Sequence, residues 1–131
     1  MRARTLPSLR SRGRNRPVCD LAATAAQRDD ASITTRTILI AAFPRVQTLD
    51  VFGPAEVFGT ASQLRGDEAY EVRVVASTPG LVRTSSVPLH AEELNDGPLD
   101  TLLVPGGRGV HRADERLVEW VAGAAKRARR V

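Results

Sequence analysis

A single cysteine, Cys19, stands in a chain of 131 residues. That excludes an internal disulfide and a zinc site built from several thiolates. It suits a reducing compartment, and a cytoplasmic location is the expectation. No apolar run approaches the ~20 residues that a membrane helix needs, so no membrane partner is expected. The first residues also lack the apolar stretch of about 7–15 residues that marks a secretory signal. No Gly-Lys-Ser or Gly-Lys-Thr occurs, which removes a Walker-type phosphate loop. Ser85-Ser86 lacks the Gly-x-Ser-x-Gly context of a nucleophile elbow. His90 and His111 are the only histidines, and neither has a partner at metal-ligand spacing. Both read as surface or loop residues, with His111 a candidate for a pocket mouth. No metal and no cofactor is expected.

What is present begins with charge. The formal net charge is +4 and the isoelectric point is near 10.5, which invites a nucleic-acid reading. Its placement argues otherwise. Residues 1–33 hold seven arginines (2, 4, 10, 12, 14, 16 and 28) against Asp20, Asp29 and Asp30, a net +4. Taking 7 from 19 basic and 3 from 15 acidic residues leaves 12 of each in residues 34–131. The basic signal belongs to a tail and not to a folded face. Residues 1–33 have little apolar content and read as a disordered basic tail. Its charge could attract phosphates non-specifically. Cys19 lies in this tail and reads as an exposed thiol.

Residues 34–131 are patterned. TRTILIAAF (35–43) is a continuous apolar run, as in a parallel strand buried on both faces. TLDVFGPAEVFGTASQL (48–64) has apolar residues at 49, 52, 57, 58, 61 and 64, which fits an amphipathic helix. YEVRVVAS (70–77) reads as a strand. Residues 78–94 contain LVRT and VPLH, a small hairpin or excursion. LDTLLV (99–104) is another buried strand. DERLVEWVAGAAKRARR (114–130) is the clearest helix, with acids at its start and bases at its end. Strand, helix, strand, excursion, strand, helix predicts an α/β fold with a mostly parallel sheet. Ligands of such sheets collect at the carboxyl ends of strands. FPRVQTLD and VPGGRGVH both leave strands there.

Two features of that rim carry chemistry. Gly107-Arg108-Gly109 lacks the third glycine of a dinucleotide fingerprint. It is either a plain strand-to-helix turn or a set of backbone N–H donors for an oxyanion. Asp50 lies between Leu49 and Val51-Phe52 at the start of the helix. It is either a helix cap or a partly desolvated acid able to share a proton with a nucleophile. Its apolar setting hints at a small neutral ligand. Glu56 reads as a structural or solvated charge. No convincing nucleophile accompanies these groups.

ILIAAFPRVQTLDVFGPAEVF (38–58), SSVPLHAEE (85–93) and LDTLLVPGGRGV (99–110) together resemble the PfpI-type branch of the class I glutamine amidotransferase-like superfamily. The resemblance is nearest to the amino-terminal domain of GlxA-type regulators of the AraC family, and extends to isonitrile hydratase. It covers residues 36–131. It implies a flavodoxin-like α/β fold, a parallel sheet sandwiched by helices, usually dimeric and here incomplete at the C-terminus. Residues 34–131 would then be the N-terminal part of a PfpI-like domain. The resemblance implies that Asp50 contacts the family's catalytic cysteine, and that Pro105, Gly106 and Gly107 line the same pocket with it. That cysteine would follow a strand beginning near Val131, and Cys19 cannot replace it. The strand itself is expected to be central, buried between existing ones, leaving this chain marginal or oligomeric.

Three functions follow as expectations. The first is a ligand-sensing domain of a transcriptional regulator, binding DNA only through a C-terminal domain not in this chain. The second is a truncated isonitrile hydratase or related cysteine hydrolase. The third is a fragment without activity of its own.

Overall fold

The computed structural model describes residues 34–131; the readings of the basic tail and of Cys19 lie outside the described residues. Seven regular elements run in the order β1 (Arg36–Ala41), α1 (Thr48–Arg65), β2 (Tyr70–Ala76), β3 (Gly80–Val82), β4 (Leu89–Glu93), β5 (Thr101–Leu103) and α2 (Glu115–Arg127). The strands form one sheet in the order β3-β4-β2-β1-β5. β1 pairs in parallel with β2 on one side and β5 on the other, and β2 pairs in parallel with β4. The excursion is an antiparallel β3–β4 hairpin.

β1 sits inside this sheet because its sequence has no polar face from Ile38 to Ala41, all of which are buried. Register splits its side chains between two layers. Leu39, with Val75 and Leu102, packs on Ala124 of α2. Ile40 packs with Val51 of α1. A parallel sheet needs both faces covered, and the two helices cover one each.

α1 spans the predicted residues, but of the predicted apolar face only Phe58 and Ala61 are withdrawn from solvent. The sequence pattern put residues 49, 52, 57, 58, 61 and 64 against the core. Leu49 is 71% exposed, Val57 66% and Leu64 85%. The sheet-facing stripe is Val51, Ala55, Phe58 and Ser62. Val51 is buried, Ala55 packs on the core, the Phe58 ring meets Tyr70 at 5.1 Å, and Ser62 Oγ accepts the Tyr70 N–H at 3.0 Å. The sheet contact combines the small Ala55 and Ser62 with Val51 and the Phe58 ring. Leu49, Phe52, Val57 and Leu64 are left on the outer side. The helix ends at Gly66 in the left-handed conformation, φ 72°, whose N–H reaches the Ser62 and Gln63 carbonyls.

α2 follows its pattern. Asp114 caps it by accepting the Leu117 N–H at 2.9 Å, and also accepts the Ser77 hydroxyl. Those two bonds, Ser77 first, hold its carboxyl below the usual aspartate range. Trp120 Nε1 donates to the Asn95 carbonyl at 2.9 Å. After α2 the chain returns to the sheet, where Arg130 bridges Thr101 in parallel and its carbonyl accepts the Leu102 N–H at 3.0 Å. The expectation of a gap between existing strands is therefore wrong. The five strands are contiguous, and the backbone near Arg130 lies on the outer side of β5.

Asp100 fastens this return. Its carboxylate takes two bonds from the Arg129 guanidinium, at 2.7 and 2.9 Å, and one from Thr101 Oγ1 at 2.8 Å. The Arg129 bond, then Thr101, lowers the carboxyl from its ordinary 3.8 against the cost of its burial. A carboxyl held low stabilises the fold above its unfolded value and gives that up as acid protonates it. Asp100→Asn should therefore lose about 1 kcal/mol near neutrality, since Arg129 is half exposed and screened by solvent. The deficit should shrink as pH falls through the aspartate range. Urea melts of parent and variant at neutral and acid pH measure it; an equal deficit at both would show that the charge is irrelevant.

Candidate functional site

β1 is the point at which the strand order reverses, with β2 to one side and β5 to the other. Loops leaving such neighbours at their carboxyl ends diverge around a crevice in open α/β sheets. Here they also touch. Val46 bridges Gly107 in antiparallel fashion, and the Gln47 N–H donates to the Gly106 carbonyl at 2.9 Å.

That touch explains two glycines of the VPGGRG loop. Gly107 has φ +146°, and a β-carbon there would lie 2.6 Å from the Gln47 nitrogen. A β-carbon on Gly109 would lie 1.8 Å from the Pro44 carbonyl oxygen. No L side chain fits either position. Pro105, just before them, is buried. The glycines thus serve a backbone-to-backbone contact between two loops.

Asp50 lies in the first turn of α1. Its Oδ2 accepts the Gly106 N–H at 3.2 Å. The structure thus brings Asp50 and Gly106 into contact, with Pro105 and Gly107 beside them. It does not give Asp50 the desolvated apolar setting expected, because Leu49 and Phe52 turn outward and Asp50 is itself exposed. Nor is Asp50 the helix cap. The Thr48 N–H at the start of α1 is taken by Ser85 Oγ, 3.1 Å away, a residue 37 positions on. The Gly106 N–H is already committed to Asp50, so it is no open oxyanion donor. His90 and His111 are exposed. Among the described residues no cluster of histidine, cysteine and acids could hold a metal, and no helix is long and apolar enough to cross a membrane.

Two cavities involve the loop that leaves β1. One of about 380 Å³ lies at the ends of β1 and β2, walled by Ala42, Pro44, Ser77, Arg83 and Asp114 among others. The other, about 370 Å³, is walled by Arg45, Gln47, Thr84, Ser85, Ser86 and Arg108. Asp50, Pro105, Gly106 and Gly107 line neither. Sequence reading missed Arg45, Thr48 and Thr84 altogether. The one available signal was the T-S-S run at 84–86.

The fold is similar to that of an AraC family transcriptional regulator from Pseudomonas putida, with TM-score 0.56 and 20% identity over 71% of this chain and 62% of that one. It is also similar to a DJ-1 superfamily protein from Agrobacterium tumefaciens, with TM-score 0.53 and 17% identity over 71% of this chain and 50% of that one. At such identities the likeness is one of fold, and it agrees with the flavodoxin-like α/β architecture that the sequence strings imply. The chain spans 62% and 50% of the length of these two relatives. No protein-family model and no curated protein matches the sequence.

The loop contact makes a prediction with an internal control. Gly109→Ala should destabilise the fold by more than about 2 kcal/mol, because backbone on both sides must move. Gly123→Ala, on the exposed side of α2 with nothing within 4 Å of the added carbon, should stabilise it by up to about 1 kcal/mol. Chemical denaturation of both variants decides; a neutral Gly109→Ala would mean the loops do not meet as described.

Proposed function

We propose that residues 34–131 form a ligand-sensing PfpI-like domain of a transcriptional regulator, with DNA contact left to a module outside this chain. The observation that carries this reading is the Asp50–Gly106 bond, which joins the start of α1 to the glycine loop. The chain's one cysteine, Cys19, precedes β1, and residues 34–131 contain none. An acid held against a glycine loop can bind a small molecule through hydrogen bonds. The likeness to an AraC family regulator supports the same direction. On this reading Asp50 and the Pro105–Gly107 loop hold a small ligand, which would have to share or displace the carboxylate's bond to Gly106.

Ligand-observed NMR of the full chain against a panel of small metabolites tests it. Bound members should be released unchanged, and Asp50→Asn should weaken them several-fold. Cyclohexyl isocyanide should not be hydrated to the formamide. Turnover that Asp50→Asn abolishes would establish a hydratase or hydrolase instead, and binding indifferent to Asp50→Asn would remove this site.

The same reading includes a homodimer, and the outer side of α1 supports it. Leu49, Phe52, Val57 and Leu64 are all exposed there, an apolar strip of the kind that a second copy buries. Sedimentation of the full chain should show a dimer. Val57→Glu should weaken it at least about tenfold by burying an unpaired charge, with helicity unchanged because Val57 is exposed. A parent chain that stays monomeric at high micromolar concentration would refute the dimer.

A further inference from the structure

The cavity of about 370 Å³ beside α1 is walled by two arginines, three hydroxyl residues and Gln47, with no carboxylate. We propose that it binds a small oxyanion, a phosphate or a carboxylate group. The inference does not rest on the Asp50 contact.

Charge comes first. Arg36, Arg65, Arg73, Arg116, Arg127 and Arg129 each pair with an acid. Arg45, Arg83, Arg108, Arg112 and Arg130 have no acid partner among the described residues; of these, Arg45 and Arg108 line one cavity together. Two guanidiniums drawn to one space repel each other unless an anion lies between them. Their forked donors match the oxygens of a phosphate or carboxylate.

Backbone geometry comes second. Arg45 is the only non-glycine residue with positive φ, 67°, among the described residues. That conformation is unfavourable for a side chain with a β-carbon. It is held by the Arg45 N–H bond to the Arg83 carbonyl at 2.7 Å. The Arg45 backbone is thus held beside the cavity by its bond to Arg83.

Proton direction comes third. Each hydroxyl has one proton to give. Thr84 gives its proton to the Val87 carbonyl at 2.5 Å. The 2.6 Å contact between Thr48 and Thr84 must then use the Thr48 proton. The 3.0 Å contact between Thr48 and Ser85 must use that of Ser85. The chain runs Ser85 to Thr48 to Thr84 to Val87. Only the Ser85 proton, at its head, can swing into the cavity without breaking a later link. The Ser86 hydroxyl makes no hydrogen bond among the described residues, its N–H being the group that donates to Thr48 and Thr84. The Ser86 hydroxyl is thus open to donate, Ser85 can donate only by giving up its bond to Thr48, and both line the cavity with two guanidiniums, a set suited to an anion.

NMR titration of the full chain with inorganic phosphate, and separately with acetate, at matched ionic strength in chloride tests the proposal. Saturable shifts should appear at the amides of Arg45, Ser85, Ser86 and Arg108. A response to phosphate alone identifies a phosphate ligand, and one to acetate alone a carboxylate. Arg45→Asn suits the left-handed backbone and removes the charge; it and Arg108→Gln should each weaken binding about tenfold or more. Ser86→Ala, on an exposed loop, should weaken it several-fold and covers the case in which an arginine variant does not fold. Lys126→Gln, an unpaired charge in the last turn of α2, should bind as the parent does. No saturable response to either anion, equal affinity in all three cavity variants, shifts confined to residues 1–33, or loss in Lys126→Gln alone would each overturn it.

Discussion

No side chain fits between Pro44 and Gly109, and most of what the rim does follows from that. β1 has parallel neighbours on both sides, so the loops from β1 and β5 emerge one strand spacing apart, about 4.8 Å. Neither can leave without passing the other. Glycine at 107 and 109 lets them cross backbone to backbone. The crossing then sets where the nearby polar groups stand. Gly106 meets Asp50, Arg45 is pushed into the left-handed region, and Arg108 is delivered to the same side as the α1 terminus. A looser crossing would leave these groups as unrelated surface charges.

The crossing also explains why glycines that look like an anion cradle are not one. The Gly106 N–H goes to a protein carboxylate, and its carbonyl to Gln47. Positive charge collects one step away, at side chains, where nothing acidic neutralises it. Backbone supplies the scaffold and side chains supply the sign.

Periodicity disclosed the elements buried on one clear criterion. β1 is apolar on both faces and lies inside the sheet; α2 has one apolar stripe, with Leu117 and Ala124 buried. α1 was legible in extent but not in facing, because its apolar residues divide between two sides and its sheet contact uses Ala55 and Ser62. Leu49, Phe52, Val57 and Leu64 point outward, against the usual inference from hydrophobicity. The nearness of Asp50 to the glycine loop followed from resemblance to a family. Nothing in spacing shows that residues 56 apart will meet. The hydroxyl chain was invisible for the same reason, since Thr48 and its partners are 36 to 38 positions apart. Arg45 gave no signal because unfavourable backbone at an arginine is imposed by its neighbours and not by its own preference.

The cap on α1 comes from Ser85 and not from the helix's own flanking residue, Gln47, whose side chain caps nothing. The helix and the loop at 84–86 are therefore one mechanical part. If the loop lifts, Thr48 loses the acceptor for its N–H and the first turn loosens, beginning at Leu49 and Phe52 on the outward apolar strip. A borrowed cap works as a linkage. It makes the start of α1 answerable to the state of a cavity wall that lies far from it in sequence.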